Sequence, residues 1–175
     1  MKTRFVQRAG ILLAAAVFAL SGCAAGPADG PKSGNTGSGA TTQAECEGVW
    51  TVAEFGDLKA ENLGVCVDTD KTITAAEAFD KAGIGLSEST AFAGAICRVG
   101  GQPAADTKLE YKGETHVEDC KSMGPMWAYW GLFVDTGEGW GYAMNGAATQ
   151  ELGPGQAVAF VWQFGDTSEP VLPTE

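Results

Sequence analysis

The chain is poor in the residues that carry most enzyme chemistry. Its 175 residues include one histidine, His116, and 11 lysines and arginines against 22 acidic residues. No serine sits in a nucleophile elbow and no phosphate-binding loop is present, so the common hydrolase and nucleotide-binding patterns are excluded. So few basic residues, in a chain of net charge −11, exclude DNA, RNA or an anionic membrane surface as partners, since each needs clustered Lys and Arg. The cysteines are never spaced as CxxC, and a lone histidine adds little, so a metal site is not expected. No apolar run reaches the roughly 20 residues that span a bilayer core. No internal repeat is visible. The chain is expected to have no enzymatic activity and no cofactor.

What is present begins with a targeting signal. MKTRFVQR carries Lys2, Arg4 and Arg8 and no acidic residue, and the apolar run from Ala9 to Leu20 follows. A basic start, a short apolar run and small residues make a secretory signal. It ends in LSGC, Leu20 to Cys23, the pattern of a bacterial lipobox. There the small residues fit the peptidase and the Cys23 thiol carries a diacylglyceryl thioether. Residues 1–22 are the expected signal peptide, Cys23 the lipidation site, and the extracytoplasmic face of the cell membrane the location. Each buried CH₂ of an acyl chain contributes about 0.8 kcal/mol, so a multiply acylated end is firmly held. Cleavage removes three basic residues and no acidic one, which moves the formal charge from −11 to −14.

Residues 23–45 are rich in Gly, Ser, Thr, Ala and Pro and lack aromatics. Such a segment buries too little apolar surface to offset its ordering entropy and is expected to be a flexible tether. A coil of this length has an end-to-end distance of about 25 Å. The folded domain is expected over 46–166, about 120 residues and enough for one core. Residues 167–175 are expected to be a frayed tail.

Apart from Cys23, the chain has Cys46, Cys66, Cys97 and Cys120. An even number in an exported chain points to two disulfides. Of the three connectivities, the favoured one joins neighbours in sequence: Cys46 with Cys66 and Cys97 with Cys120.

Alternation and β-formers predict strands over Val49–Phe55, Leu63–Asp68, Ala95–Ala104, Leu109–Tyr111, Trp127–Val134, Trp140–Met144 and Ala157–Phe164. Turns are expected at Gly100–Gly101, DTGEG, Asn145–Gly146 and GPGQ. TAAEAFDKAG, Thr74 to Gly83, is the one helix. Thr74 and Glu77 form a capping-box pattern, Gly83 supplies a left-handed stop, and small alanines let the helix lie close on a sheet. The fold class is α+β: a mostly antiparallel sheet with one short helix, stapled by disulfides.

These pieces, in this order, resemble a known family. VAEFGDL, GVCVD, TAAEAFDKAGI, ICRVGGQPA, Cys120 followed by WAYWGLFVDTGEGWGYAMNG, and GPGQAVAFVWQF cover Val49 to Phe164. The series is similar to the lone-domain family related to the C-terminal β-domain of transcobalamin and intrinsic factor, especially its exported actinobacterial members. In the vitamin carriers this domain closes over a corrinoid held against a separate helical domain. The resemblance implies the fold and makes a corrinoid one ligand to test.

The stretch WAYWGLFVDTGEGWGY, Trp127 to Tyr142, holds three of five tryptophans and two of three tyrosines. Alternation puts Trp127 and Tyr129 on one face, Trp130 and Leu132 on the other, and Trp140 with Tyr142 on a shared face. In the last strand Val158, Phe160, Trp162 and Phe164 align as a core face. Large rings on both faces of the hairpin require that the second face be covered too, by chain or by ligand. Trp127, Tyr129, Trp140 and Tyr142 are therefore the candidate ligand-stacking residues, with a purely structural role as the alternative. ETHVED, Glu114 to Asp119, is either a loose cation site or a solvated loop. Arg98 is expected to pair with a carboxylate. Two functions follow: a module that binds a small molecule or surface polymer, or an envelope module that binds a partner protein and no small ligand.

Overall fold

The computed structural model describes residues 41–166 and 168–174. The signal sequence and Cys23 lie outside the described residues. No helix among the described residues is long and apolar enough to cross a membrane.

Eleven strands and one α-helix follow one another along the described residues. The strands are β1 (Val49–Glu54), β2 (Leu63–Val67), β3 (Ile73–Thr74), β4 (Leu86–Glu88), β5 (Ile96–Val99), β6 (Lys108–Tyr111), β7 (Glu114–Val117), β8 (Ala128–Asp135), β9 (Trp140–Tyr142), β10 (Glu151–Leu152) and β11 (Ala157–Phe164); the helix α1 is Ala75–Lys81. A five-stranded sheet in the order β2-β1-β11-β8-β9 forms the centre, and three two-stranded ladders, β3 with β10, β4 with β5 and β6 with β7, surround it. Among the described residues only the β1–β11 pair is parallel. The strands not foreseen are β3, β4, β7 and β10. Each is two to four residues long and exists because a distant segment supplies its ladder. Glu114–Val117, expected as a loop, pairs residue for residue with β6.

The two faces of the central sheet follow the alternation of its strands. Val158, Phe160 and Trp162 of β11 and Trp130 of β8 join Val49, Ala53, Phe79 and Val99 in the main core. Trp130 meets Trp162 at 5.3 Å and Phe55 at 5.6 Å between ring centroids, both edge to face, the arrangement that ring quadrupoles favour. The helix α1 lies on this face. Its cap is as foreseen: Thr74 Oγ1 accepts from the Glu77 N–H, and Glu77 Oε2 from the Thr74 N–H. Ala75, Ala78 and Phe79 are fully buried, and the Phe79 ring sits 5.1 Å from Phe160.

The second face carries Val52, Phe133, Ala159 and Val161, with Trp50 and Trp140 packed against them. Segments near both ends of the described residues reach it. Gln43 Nε2 donates to Asp135 Oδ2 at 2.9 Å. Gln163 grips the tail with both amide atoms, donating to the Val171 carbonyl at 2.9 Å and accepting the Val171 N–H at 2.8 Å. Thr174 donates its N–H and its hydroxyl to Glu54 Oε1. Gln163 and Glu54 are buried polar side chains, and such groups are stable only when hydrogen-bonded. That requirement orders a composition that by itself would fray.

Two disulfides staple the domain, Cys46–Cys66 and Cys97–Cys120. The first ties the start of the domain to β2, and the second ties β5 to the segment before β8.

Candidate functional site

The four candidate rings separate. Trp127 lies one residue outside β8, because Ala128 N–H donates to the Pro125 carbonyl in a turn. Strand alternation therefore does not apply to it, and it does not share a face with Tyr129. Its ring packs 5.7 Å from both Tyr111 and Phe164, and its N–H donates to Glu114 Oε2 at 2.8 Å. It closes the margin of the main core.

The other three rings meet on the second face. Tyr142 stacks on Phe133 with centroids 4.4 Å apart. Its hydroxyl lies 3.0 Å from that of Tyr129, and it stays 46% exposed. Trp140 is half-buried against the Val52 and Val161 group. These rings pack on their own sheet, with Tyr142 still open to solvent on one side. Partial burial pushes the Tyr142 phenol pKa up, and the hydrogen bond with Tyr129 adds to it. At the hairpin turn, Asp135 Oδ1 accepts the N–H groups of Gly137 and Gly139 at 2.7 and 3.0 Å. Both glycines have positive φ, 106° and 94°, a conformation that a side chain would strain. The Gly137 N–H and the Gln43 amide hold the Asp135 carboxyl below the usual carboxylate range.

A larger site lies on the first face. A cleft of about 490 Å³ opens between β8, β5, the 122–126 segment and Asn145–Ala147. Ile96, Leu132, Trp130 and Phe160 line its apolar part, and Met123 and Met126 stand on its wall, 63% and 88% exposed. Of the four candidate rings only Tyr129 lines it. A second cavity of about 370 Å³ near the end of α1 shares Gly94, Ile96 and Ala147 with it.

One charged side chain borders the cleft. Glu118 is 6% exposed; its Oε1 accepts the Cys120 N–H at 2.7 Å, and its Oε2 has His116 Nε2 at 3.4 Å. Arg98 does not pair with a carboxylate as expected. Its Nε donates to the Pro103 carbonyl at 2.8 Å and its Nη2 to the Glu118 carbonyl. The guanidinium is used as a fork that ties β5 to two backbone turns. The acidic groups of ETHVED diverge: Glu114 binds Trp127, Glu118 turns inward, and Asp119 accepts from the Lys121 N–H. Cys97, Glu118 and Cys120 come within metal-ligand range of one another, but the two sulfurs are bonded to each other and offer no thiolate.

Sequence reasoning passed over Met123 and Met126. The signal that points to them is SMGPM, two methionines beside a Gly-Pro turn, since exposed methionine is a flexible apolar surface often used in binding. The cleft itself had no signal, because its walls come from segments far apart in the chain. No family model, curated protein or solved structure matches this chain.

Proposed function

We propose that this chain is a lipoprotein anchored through Cys23 at the extracytoplasmic face of the cell membrane, and that its domain binds a small molecule in the first-face cleft. The observation that carries the reading is the cleft, about 490 Å³ with a floor of Trp130, Phe160 and Leu132. Small-ligand sites run from roughly 300 to 1,000 Å³, are mostly apolar, and carry a few placed polar groups. Glu118 is such a group here. Binding without catalysis is the reading because the four domain cysteines are paired and the sole histidine faces Glu118. The resemblance to the transcobalamin-like domains keeps a corrinoid among the ligands to test.

The test is calorimetric titration of the oxidised chain with cobalamin, cobinamide, haem and cell-wall sugars, with tryptophan fluorescence as a second readout. A saturable response that Leu132→Lys abolishes, with the fold retained, supports the reading. A response that Leu132→Lys leaves intact places the ligand elsewhere and overturns it.

A second reading rests on its own observation. The strand β9 covers only Phe133–Asp135 of β8, and one further bond joins the Ala143 N–H to the Leu132 carbonyl. Among the described residues, the Ala128–Gly131 end of β8 has no ladder partner on that side. An open edge of this kind takes an added strand from a partner protein, which is the envelope-interaction alternative.

A further inference from the structure

We infer that the cleft and the cavity beside it form one site for an elongated amphipathic cation, an alkyl or aryl body carrying an ammonium group. The inference rests on the small-molecule reading of the cleft and specifies the chemistry of its ligand. The two cavities share Gly94, Ile96 and Ala147, so they are adjoining spaces over one ridge. The larger is walled by Leu132, Trp130, Phe160 and the two methionines. The smaller brings in Asp80 and Glu88. The combined lining holds three carboxylates, Asp80, Glu88 and Glu118, and no lysine, arginine or histidine. Arg98, on β5, has its guanidinium bonded to the Pro103 and Glu118 carbonyls, and His116 Nε2 lies 3.4 Å from Glu118 Oε2.

Glu118 is the side chain that selects the ligand's charge. A carboxylate more than nine-tenths buried carries a desolvation cost that hydrogen bonds or an opposite charge must offset. One oxygen, Oε1, has a short bond from the Cys120 N–H. Among the described residues the other, Oε2, has His116 Nε2 at 3.4 Å, and a carboxylate oxygen can accept two bonds. An ammonium that reaches Oε2 from the cleft completes it, while its apolar body lies along Ile96 and Leu132. Asp80 and Glu88 add negative potential at the far end, which favours a cation and repels an anion.

The test uses three probes of equal chain length, octylammonium, octanol and octanoate, each below its micellar range. They are titrated by calorimetry into the full 175-residue chain, produced without lipid and with both disulfides formed. The expected result is that the cation binds at least tenfold more tightly than the alcohol, and that octanoate binds more weakly than either. Glu118→Gln should bring the cation to the level of the alcohol. If that variant does not fold, the exposed pair Asp80→Asn with Glu88→Gln replaces it, and should reduce the preference about threefold while leaving octanol unchanged. Equal affinity for all three probes, or a preference that survives both variants, overturns the inference and leaves the small-molecule reading standing. Absence of binding by any probe overturns the inference, and the titration with cobalamin, cobinamide, haem and sugars decides the small-molecule reading separately.

Discussion

The hydroxyls of Tyr129 and Tyr142 lie 3.0 Å apart across the β8–β9 hairpin, and Tyr142 also stacks on Phe133 at 4.4 Å. Desolvation comes first in raising the Tyr142 pKa, and the bond with Tyr129 second. A phenol whose folded pKa is raised above its unfolded value of about 10 contributes stability that is present below pH ~10 and is lost as pH rises further. The expected outcome is a domain that loses stability above that pH, with one tyrosine resisting ionisation in a spectrophotometric titration. Tyr129→Phe should move that tyrosine toward the ordinary range. All three tyrosines titrating together in the native protein would contradict the assignment.

Removal of residues 168–175 leaves Gln163 and Glu54 buried without their partners. An unsatisfied buried polar group costs about 1–3 kcal/mol, so the truncated chain should lose about 3 kcal/mol in denaturant unfolding. Thr174→Val, which removes the hydroxyl alone, should cost about 1 kcal/mol. A truncation with no effect would show that these bonds carry no stability.

Asp135 links the hairpin turn to the N-terminal segment through Gly137, Gly139 and Gln43. Its carboxyl is held below the usual range, first by the Gly137 N–H and then by the Gln43 amide. A depressed folded pKa contributes stability that is present above the unfolded value of about 3.9 and is lost as pH falls through the folded one. Asp135→Ala should cost about 1 kcal/mol at neutral pH and flatten that part of the acid-unfolding curve. An unchanged acid limb would show that Asp135 carries no such linkage.

Non-reducing peptide mapping should recover Cys46 with Cys66 and Cys97 with Cys120. Replacing both Cys97 and Cys120 by serine should lower stability by about 3 kcal/mol, the chain-entropy value for a loop of this length. The same change frees the segment beside Glu118 and should weaken any ligand of the cleft. A peptide joining Cys66 to Cys97 would refute the pairing.

Much of this fold was legible because the signals are local. The last strand, Ala157–Phe164, alternates without a break and has the foreseen bounds. The capping box of Thr74 and Glu77 needs only residues three apart. The disulfides join neighbours in sequence. Trp127 was misplaced because alternation is meaningful only inside a strand, and the turn at Pro125 moved the boundary by one residue. The short strands β3 and β10 lie nearly eighty residues apart and form only because each is the other's ladder.

The sequence by itself determined the strand periodicity, the helix and its cap, the cysteine inventory and the negative charge, since each depends on residues a few positions apart or on composition alone. Tertiary structure decided which groups are satisfied and which space stays open. Gln163 is stable inside because Val171 returns to it. Arg98 goes to carbonyls because two turns present them at its fork. The cleft exists because β5, Glu118, the two methionines, β8 and Asn145–Ala147 converge without filling the volume between them. Close packing is a property of the whole chain at once, so neither the filled core nor the gap left beside it can be read from any one stretch.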